Sequence, residues 1–245
     1  MGSTKIEIFA VINGRTHTRD EVLAWEAERM PRAAKKIGLP TPTGNLEHQR
    51  LAFADSKIAL GAEETKLRLA RDLKLSELTA KATTKLARGK RTVSICDLHV
   101  AGGDAAEFVQ WFGDAGRDDY VRSMVAANPD HFLIQAAPDG TQEVIETTGG
   151  SPLASRFFVD YTDLSTLRSP SRTEFTAEAA GVALTGTGLP IGGVRHQFRN
   201  EPEGFHAHLR VEFPRYLAPH MIAQHRWHLA TEFSNWIEFA FTGLG

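Results

Sequence analysis

The spacing of hydrophobic positions changes near residue 90. Before it, Val22, Leu23, Trp25, Ala27 and Met30 recur at helical spacing behind a start signal, Thr18-Arg19-Asp20-Glu21. Pro31 is expected to kink or end that helix. Residues 38–44 read as a loop from their Gly and Pro content. Residues 51–88 are rich in Ala, Leu, Lys and Glu, which favour helix. Residues 1–90 are therefore expected to form a mainly helical N-terminal region, and the sequence assigns that region no chemistry.

After residue 90 the period shortens. Residues 91–100 read as a strand, and residues 104–113 and 118–127 as short helices, the first with Ala105, Phe108, Val109 and Phe112 on one face. Strand-like runs follow at 131–136, 142–147, 155–161, 175–184, 196–200 and 205–213. Pro138-Asp139-Gly140 and Glu201-Pro202-Glu203-Gly204 are turn signals between neighbouring runs. Residues 219–241 read as one long helix. Consecutive strands joined by turns imply an antiparallel sheet, and a terminal amphipathic helix must bury its apolar face on it. The expected fold class is α+β. The order resembles the helix-grip arrangement of START-like domains, with a pocket domain over residues 91–245. Such an arrangement leaves a cavity between sheet and helix that suits a small molecule.

Composition narrows the function classes. Of the 245 residues, 42% are hydrophobic and 24% charged, as in an ordinary soluble globular protein. A net charge of -2 gives no footprint for nucleic acid or an anionic membrane, and neither is expected as a partner. The basic stretch 81–91 reads as a solvated helix end and loop. No apolar run approaches the ~20 residues of a membrane span. The single cysteine, Cys96, excludes an internal disulfide and reads as a buried strand residue. The expected compartment is the cytoplasm, and the sequence leaves a homodimer open.

The densest chemistry lies in the last helix. At about 3.6 residues per turn, His225, His228 and Glu232 share one face, which Asn235 and Trp236 continue. An imidazole and a carboxylate one turn apart can hold a divalent metal. The bland alternative is a polar stripe that happens to carry histidine. His206 and His208 are two apart on a strand and so share a side, which faces either the cavity or water.

Several segments in order resemble the diacetylphloroglucinol/phloretin hydrolase family. Residues 101–113 resemble its turn and helix ending Trp-Trp-Phe-Gly-Trp-His. Asn128-Pro129-Asp130-His131-Phe132 resembles its His-Pro-acid-Asp-His-Phe, and residues 143–152 its Glu followed by a Gly-Gly turn. Residues 193–204 and His228-Leu229-Ala230-Thr231-Glu232 resemble its His-bearing strand turn and its His-x-x-x-Glu helix. The resemblance covers roughly residues 95–240. It implies a START-like pocket with a zinc ion on two His and two Glu, and hydrolysis of a carbon–carbon bond between an acyl group and a phenolic ring. Carried over by position, the ligands are His228, Glu232 and Glu146, with Glu143 as the alternative to Glu146. The fourth position falls on Ala115, which cannot bind metal. Asp114, His225, His131 and His99 are the candidate substitutes. His131 itself reads first as a turn or strand-end residue.

The expectation is a metal-assisted carbon–carbon hydrolase of an acylated phenol or related 1,3-dicarbonyl, with zinc as the cofactor if a metal is kept. His196, Tyr120 and His225 are the catalytic candidates. The expected partner is a small aromatic or polyketide-like substrate. The alternatives are a metal-free lyase, cyclase or isomerase of a natural-product pathway, and a non-catalytic binder of an aromatic ligand.

Overall fold

A nine-stranded antiparallel sheet organises the computed structural model, which describes residues 6–243. The elements in chain order are β1 (Glu7–Ile12), β2 (Arg15–His17), α1 (Arg19–Ile37), α2 (Leu46–Leu60), α3 (Ala62–Arg68), α4 (Ala70–Ala87) and β3 (Arg91–Ala101). They continue with α5 (Ala105–Gly113), α6 (Tyr120–Ala126), β4 (His131–Ala136), β5 (Gln142–Glu146), β6 (Ser155–Asp160), β7 (Ala177–Leu184), β8 (Pro190–Glu201), β9 (Gly204–Pro214) and α7 (Pro219–Thr242). The strand order is β2-β1-β3-β9-β8-β7-β6-β5-β4. This is an α+β fold compatible with the helix-grip expectation. No helix among the described residues is long and apolar enough to cross a membrane.

The N-terminal region is not purely helical. β1 and β2 form a hairpin on Asn13 and Gly14, both at positive φ, and β1 pairs with β3. The sheet therefore begins well before residue 91, and Ile8, Ala10 and Ile12 belong to the same core as Leu98, Phe205 and Phe233. Burial alternates along β1, as a strand with one face in the core requires.

Helix α1 starts at a capping box between Thr18 and Glu21 and ends at Gly38 in the left-handed region. It runs through Pro31 rather than ending there. Proline frees the carbonyl of Ala27, but both residues lie on the exposed side, where water can satisfy that oxygen. The opposite side buries Met30, Ala33, Ala34 and Ile37 against Phe53, Phe132 and Ile145. That packing outweighs the lost hydrogen bond. The helix-favouring stretch 51–88 is helical as expected, in three helices separated at Gly61 and Leu69.

Helix α7 crosses the inner face of the sheet. Its Phe233 sits within aromatic contact of Phe108, Phe198, His196 and Trp236. Asn235 ties it to α6 and α1, donating to the Ala127 carbonyl at 2.8 Å and to Glu26 at 3.1 Å. Between α7 and strands β5, β6, β8 and β9 lies a cavity of about 380 Å³. Thr79, Ala80 and Thr83 of α4 line it as well, so α4 forms part of its wall.

Candidate metal centre

Four side chains meet on the cavity wall: His131 at the start of β4, Glu146 at the end of β5, and His228 and Glu232 on α7. His131 Nε2 lies 3.2 Å from His228 Nε2, 3.0 Å from a Glu232 oxygen and 3.7 Å from a Glu146 oxygen. His228 Nε2 lies 3.5 Å from Glu232 and 3.6 Å from Glu146. His131, Glu146 and His228 form a group that could hold a metal ion. All four residues are buried.

Local sequence explains each placement. His228 and Glu232 are one turn apart on α7, so they share a stripe. On β5, Gln142, Val144 and Glu146 face the cavity, whereas Glu143 faces away and pairs with Arg156 at 2.6 Å and Lys66 at 3.5 Å. Glu146 is therefore the ligand candidate of the two. After Glu146 the chain turns at Thr148–Gly150 against α7. A Cβ on Gly149 would stand 2.6 Å from the Met221 carbonyl oxygen and 2.8 Å from the His225 nitrogen, so only glycine allows this approach.

His131 is held by the segment before it. The Nδ1 of His131 donates to the Met124 carbonyl at 3.0 Å, which leaves Nε2 as the free lone pair. The ammonium of Lys57 donates to the His131 carbonyl at 2.6 Å and to that of Val125 at 3.2 Å. Asp130, fully buried, takes a two-pronged bond from Arg29 at 2.7 and 2.8 Å and accepts from the Thr147 hydroxyl. Asp130 thus fixes the residues next to both His131 and Glu146.

Electrostatics fit a cation. Burial alone would lower the His228 pKa, but Glu146 and Glu232 more than offset it and hold the imidazole well above its usual range. Burial would raise Glu232, yet His228 and His131 hold it far below the usual carboxylate range. Glu146 is lowered against the same burial by His228 and His131. Two neutral imidazoles and two carboxylates carry two negative charges, which a divalent ion neutralises. Two Nε2 atoms at 3.2 Å need a proton or a cation between them, and the His131 ring has its Nδ1 proton committed elsewhere. Such a nitrogen and oxygen set suits zinc and its neighbours.

The structure separates the four candidates for the fourth position. Ala115 and Asp114 lie exposed in the turn after α5 and do not reach the cluster. His99 is on the far side of the sheet, half-exposed beside Glu201. His225 lines the cavity and stacks on His228 with ring centres 5.5 Å apart, its Nδ1 without a partner. Of the four candidate substitutes, His131 is the one that the structure brings beside Glu146 and His228 in a group that could hold a metal ion; its sequence reading put a turn or strand end first. The signal available in the sequence was the resemblance of Asn128-Pro129-Asp130-His131-Phe132 to a His-bearing segment; the structure adds that Asn128 and Asp130 are buried, unlike an ordinary turn.

The other catalytic candidates divide. His196 lines the cavity, packs on Phe233 at 4.6 Å and has its Nδ1 unpartnered. Burial lowers its pKa to about 4 and that of His225 to about 3. Tyr120 is buried behind Gln142, whose amide nitrogen donates to its hydroxyl at 2.8 Å. Sequence reasoning missed Gln142 and Tyr161, which line the cavity and bond to each other at 3.3 Å. His206 and His208 face the outer side of the sheet, away from α7.

No protein-family model matches the chain, and no curated protein matches it.

Proposed function

We propose that this chain is a zinc-assisted hydrolase that cleaves the carbon–carbon bond between an acyl group and a phenolic ring, or the equivalent bond of a related 1,3-dicarbonyl. The observation that carries the reading is the convergence of His131, Glu146, His228 and Glu232 on one wall of an otherwise largely apolar cavity. It supports the START-like resemblance at the point where Ala115 had broken it.

The reaction adds water across the bond: the acyl group leaves as a carboxylic acid and the ring carbon takes a proton. His131, His228, Glu146 and Glu232 would hold the ion, which supplies polarisation of the acyl carbonyl and acidification of water. The chain's own residues do the rest. Val144, Phe157, Val159 and Phe233 enclose the ring and exclude bulk water. His196 and His225 stay neutral at pH 7, so each can accept a hydrogen bond from a phenolic hydroxyl or relay a proton. Tyr120, expected as a catalytic residue, does not line the cavity; its hydroxyl accepts from Gln142, which does, so it can only position that amide.

The test is hydrolysis of a panel of acylphenols by protein purified without added metal. Acid release that stops on chelation and returns with zinc supports the reading. Turnover that survives complete metal removal favours a metal-free lyase, cyclase or isomerase. Ligand binding without any turnover favours a carrier.

A further inference from the structure

The outer face of the sheet carries a second convergence of imidazole and carboxylate. Strand β3 pairs with β9 in a register that sets Asp97 opposite His208 and His99 opposite His206. His206 and His208 alternate with Phe205, Ala207 and Leu209, which face α7, so both imidazoles stand on the opposite side. His206 Nε2 lies 2.8 Å and His208 Nδ1 2.6 Å from the same oxygen of Asp97. The three ligand atoms all fall within 4.8 Å of one another.

We propose that Asp97, His206 and His208 form a second binding site for a divalent transition ion of the zinc, cobalt and nickel class. Two imidazoles and one carboxylate are a donor set of that class, and with three protein donors a place remains for water. Asp97 keeps 27% of its side chain exposed, which gives an ion a way in, while the two rings are buried. Phe175 roofs the cluster, with ring centres 5.2 Å from His206 and 5.8 Å from His208. Behind His206, Glu201 stands 4.0 Å from Nδ1, too far for a hydrogen bond but close enough to add negative charge beside the ring. His99 stacks on His206 at 4.6 Å and fixes its plane. The nitrogen of His208 that faces Asp97 is Nδ1, and the far nitrogen, Nε2, is buried without a partner.

Positive charge nearby is partly spoken for. Arg199 pairs with Glu201 at 3.1 Å and Arg172 with Glu174 at 2.7 Å. A divalent ion adds the same charge as protons on both imidazoles would, but concentrates it at Asp97. The site bridges β3 and β9 and reaches the segment before β7 through Phe175. It owes nothing to the cavity donors, which lie on the other face.

Chelator-treated protein titrated with cobalt(II) tests this, read by visible absorption and by bound metal after dialysis. Wild-type protein should take up two equivalents. Asp97→Asn and His208→Gln should each take up one, with melting profiles of the metal-free forms confirming the fold. Both variants keep side-chain size and hydrogen bonding, and a failure of one to fold leaves the other. The cavity variant His228→Ala should also retain one equivalent, lost when Asp97→Asn is added. A wild-type stoichiometry of one that disappears with His228→Ala overturns the second site. So does a second equivalent that neither Asp97→Asn nor His208→Gln removes. A wild-type stoichiometry of one that survives His228→Ala and is lost with Asp97→Asn supports this site and overturns the proposed hydrolase centre instead.

Discussion

His131 and His228 are 97 residues apart in sequence and bring their Nε2 atoms to 3.2 Å. The Met124 carbonyl can only accept, so it fixes the His131 proton on Nδ1 and turns the other nitrogen to the cluster. His131→Ala should therefore weaken zinc binding by more than ~100-fold, beyond the cost typical of losing a supporting residue. Ala115→His should leave it unchanged, because position 115 is exposed. Competition with a chromophoric chelator measures both. Wild-type affinity in His131→Ala would remove His131 from the set.

Acid should destabilise the fold through His196. Its native pKa, lowered by burial to about 4, lies below the roughly 6.5 of an unfolded chain. Between those values the unfolded chain binds a proton that the native state refuses. Stability from this group is thus complete above about pH 6.5 and declines as pH falls toward 4, by up to about 3 kcal/mol. His196→Gln should reduce the difference in urea stability between pH 7 and pH 4.5. An identical difference in both proteins would refute the assignment.

Arg29→Met should cost about 3–5 kcal/mol, since it strands a fully buried carboxylate at Asp130. Arg29→Lys should recover only part, because an ammonium cannot reproduce the two-pronged bond. Chemical denaturation reads the loss. Metal affinity should fall in parallel, as Asp130 positions the neighbours of both His131 and Glu146.

Gly149→Ala should destabilise by at least about 2 kcal/mol, since its Cβ meets backbone of α7 and its φ of +55° disfavours a side chain. Gly113→Ala, with nothing within 4 Å of the added carbon, is the control expected to be near neutral. Thermal melts compare them. Equal melting temperatures would show that the turn can move away from α7 freely.

What the sequence disclosed followed the range of the interaction. His228 and Glu232 were readable because a helix repeat is local, and β4, β5, β6 and α7 were located within a few residues of their ends. Strand alternation set Glu146 and Glu143 on opposite faces, and only the resemblance favoured Glu146; which face meets the cavity depends on tertiary packing. β1 went unread, although Asn13-Gly14 after an alternating run is a strong hairpin signal. Pro31 misled because its penalty is local and its compensation, the packing of Met30 and Ile37, is tertiary. His131 stood only as one of four candidates for the same reason. Its carbonyl is held by Lys57, 74 residues earlier, and its ring meets His228 and Glu232 of α7.

The pairing of β3 with β9 has a kinetic consequence. Its register joins Leu98 to Ala207 and Arg91 to Pro214, so the chain between them must be threaded into place before the centre of the sheet can zip. Hairpins β4–β5–β6 and β7–β8–β9 close short loops and can form early, whereas the β3–β9 seam closes one of more than ~100 residues and bears a large loop entropy. Refolding should accordingly be slow for a chain of this size. Capture of an ion by histidines on β4 and α7 would then report the end of that search rather than guide it.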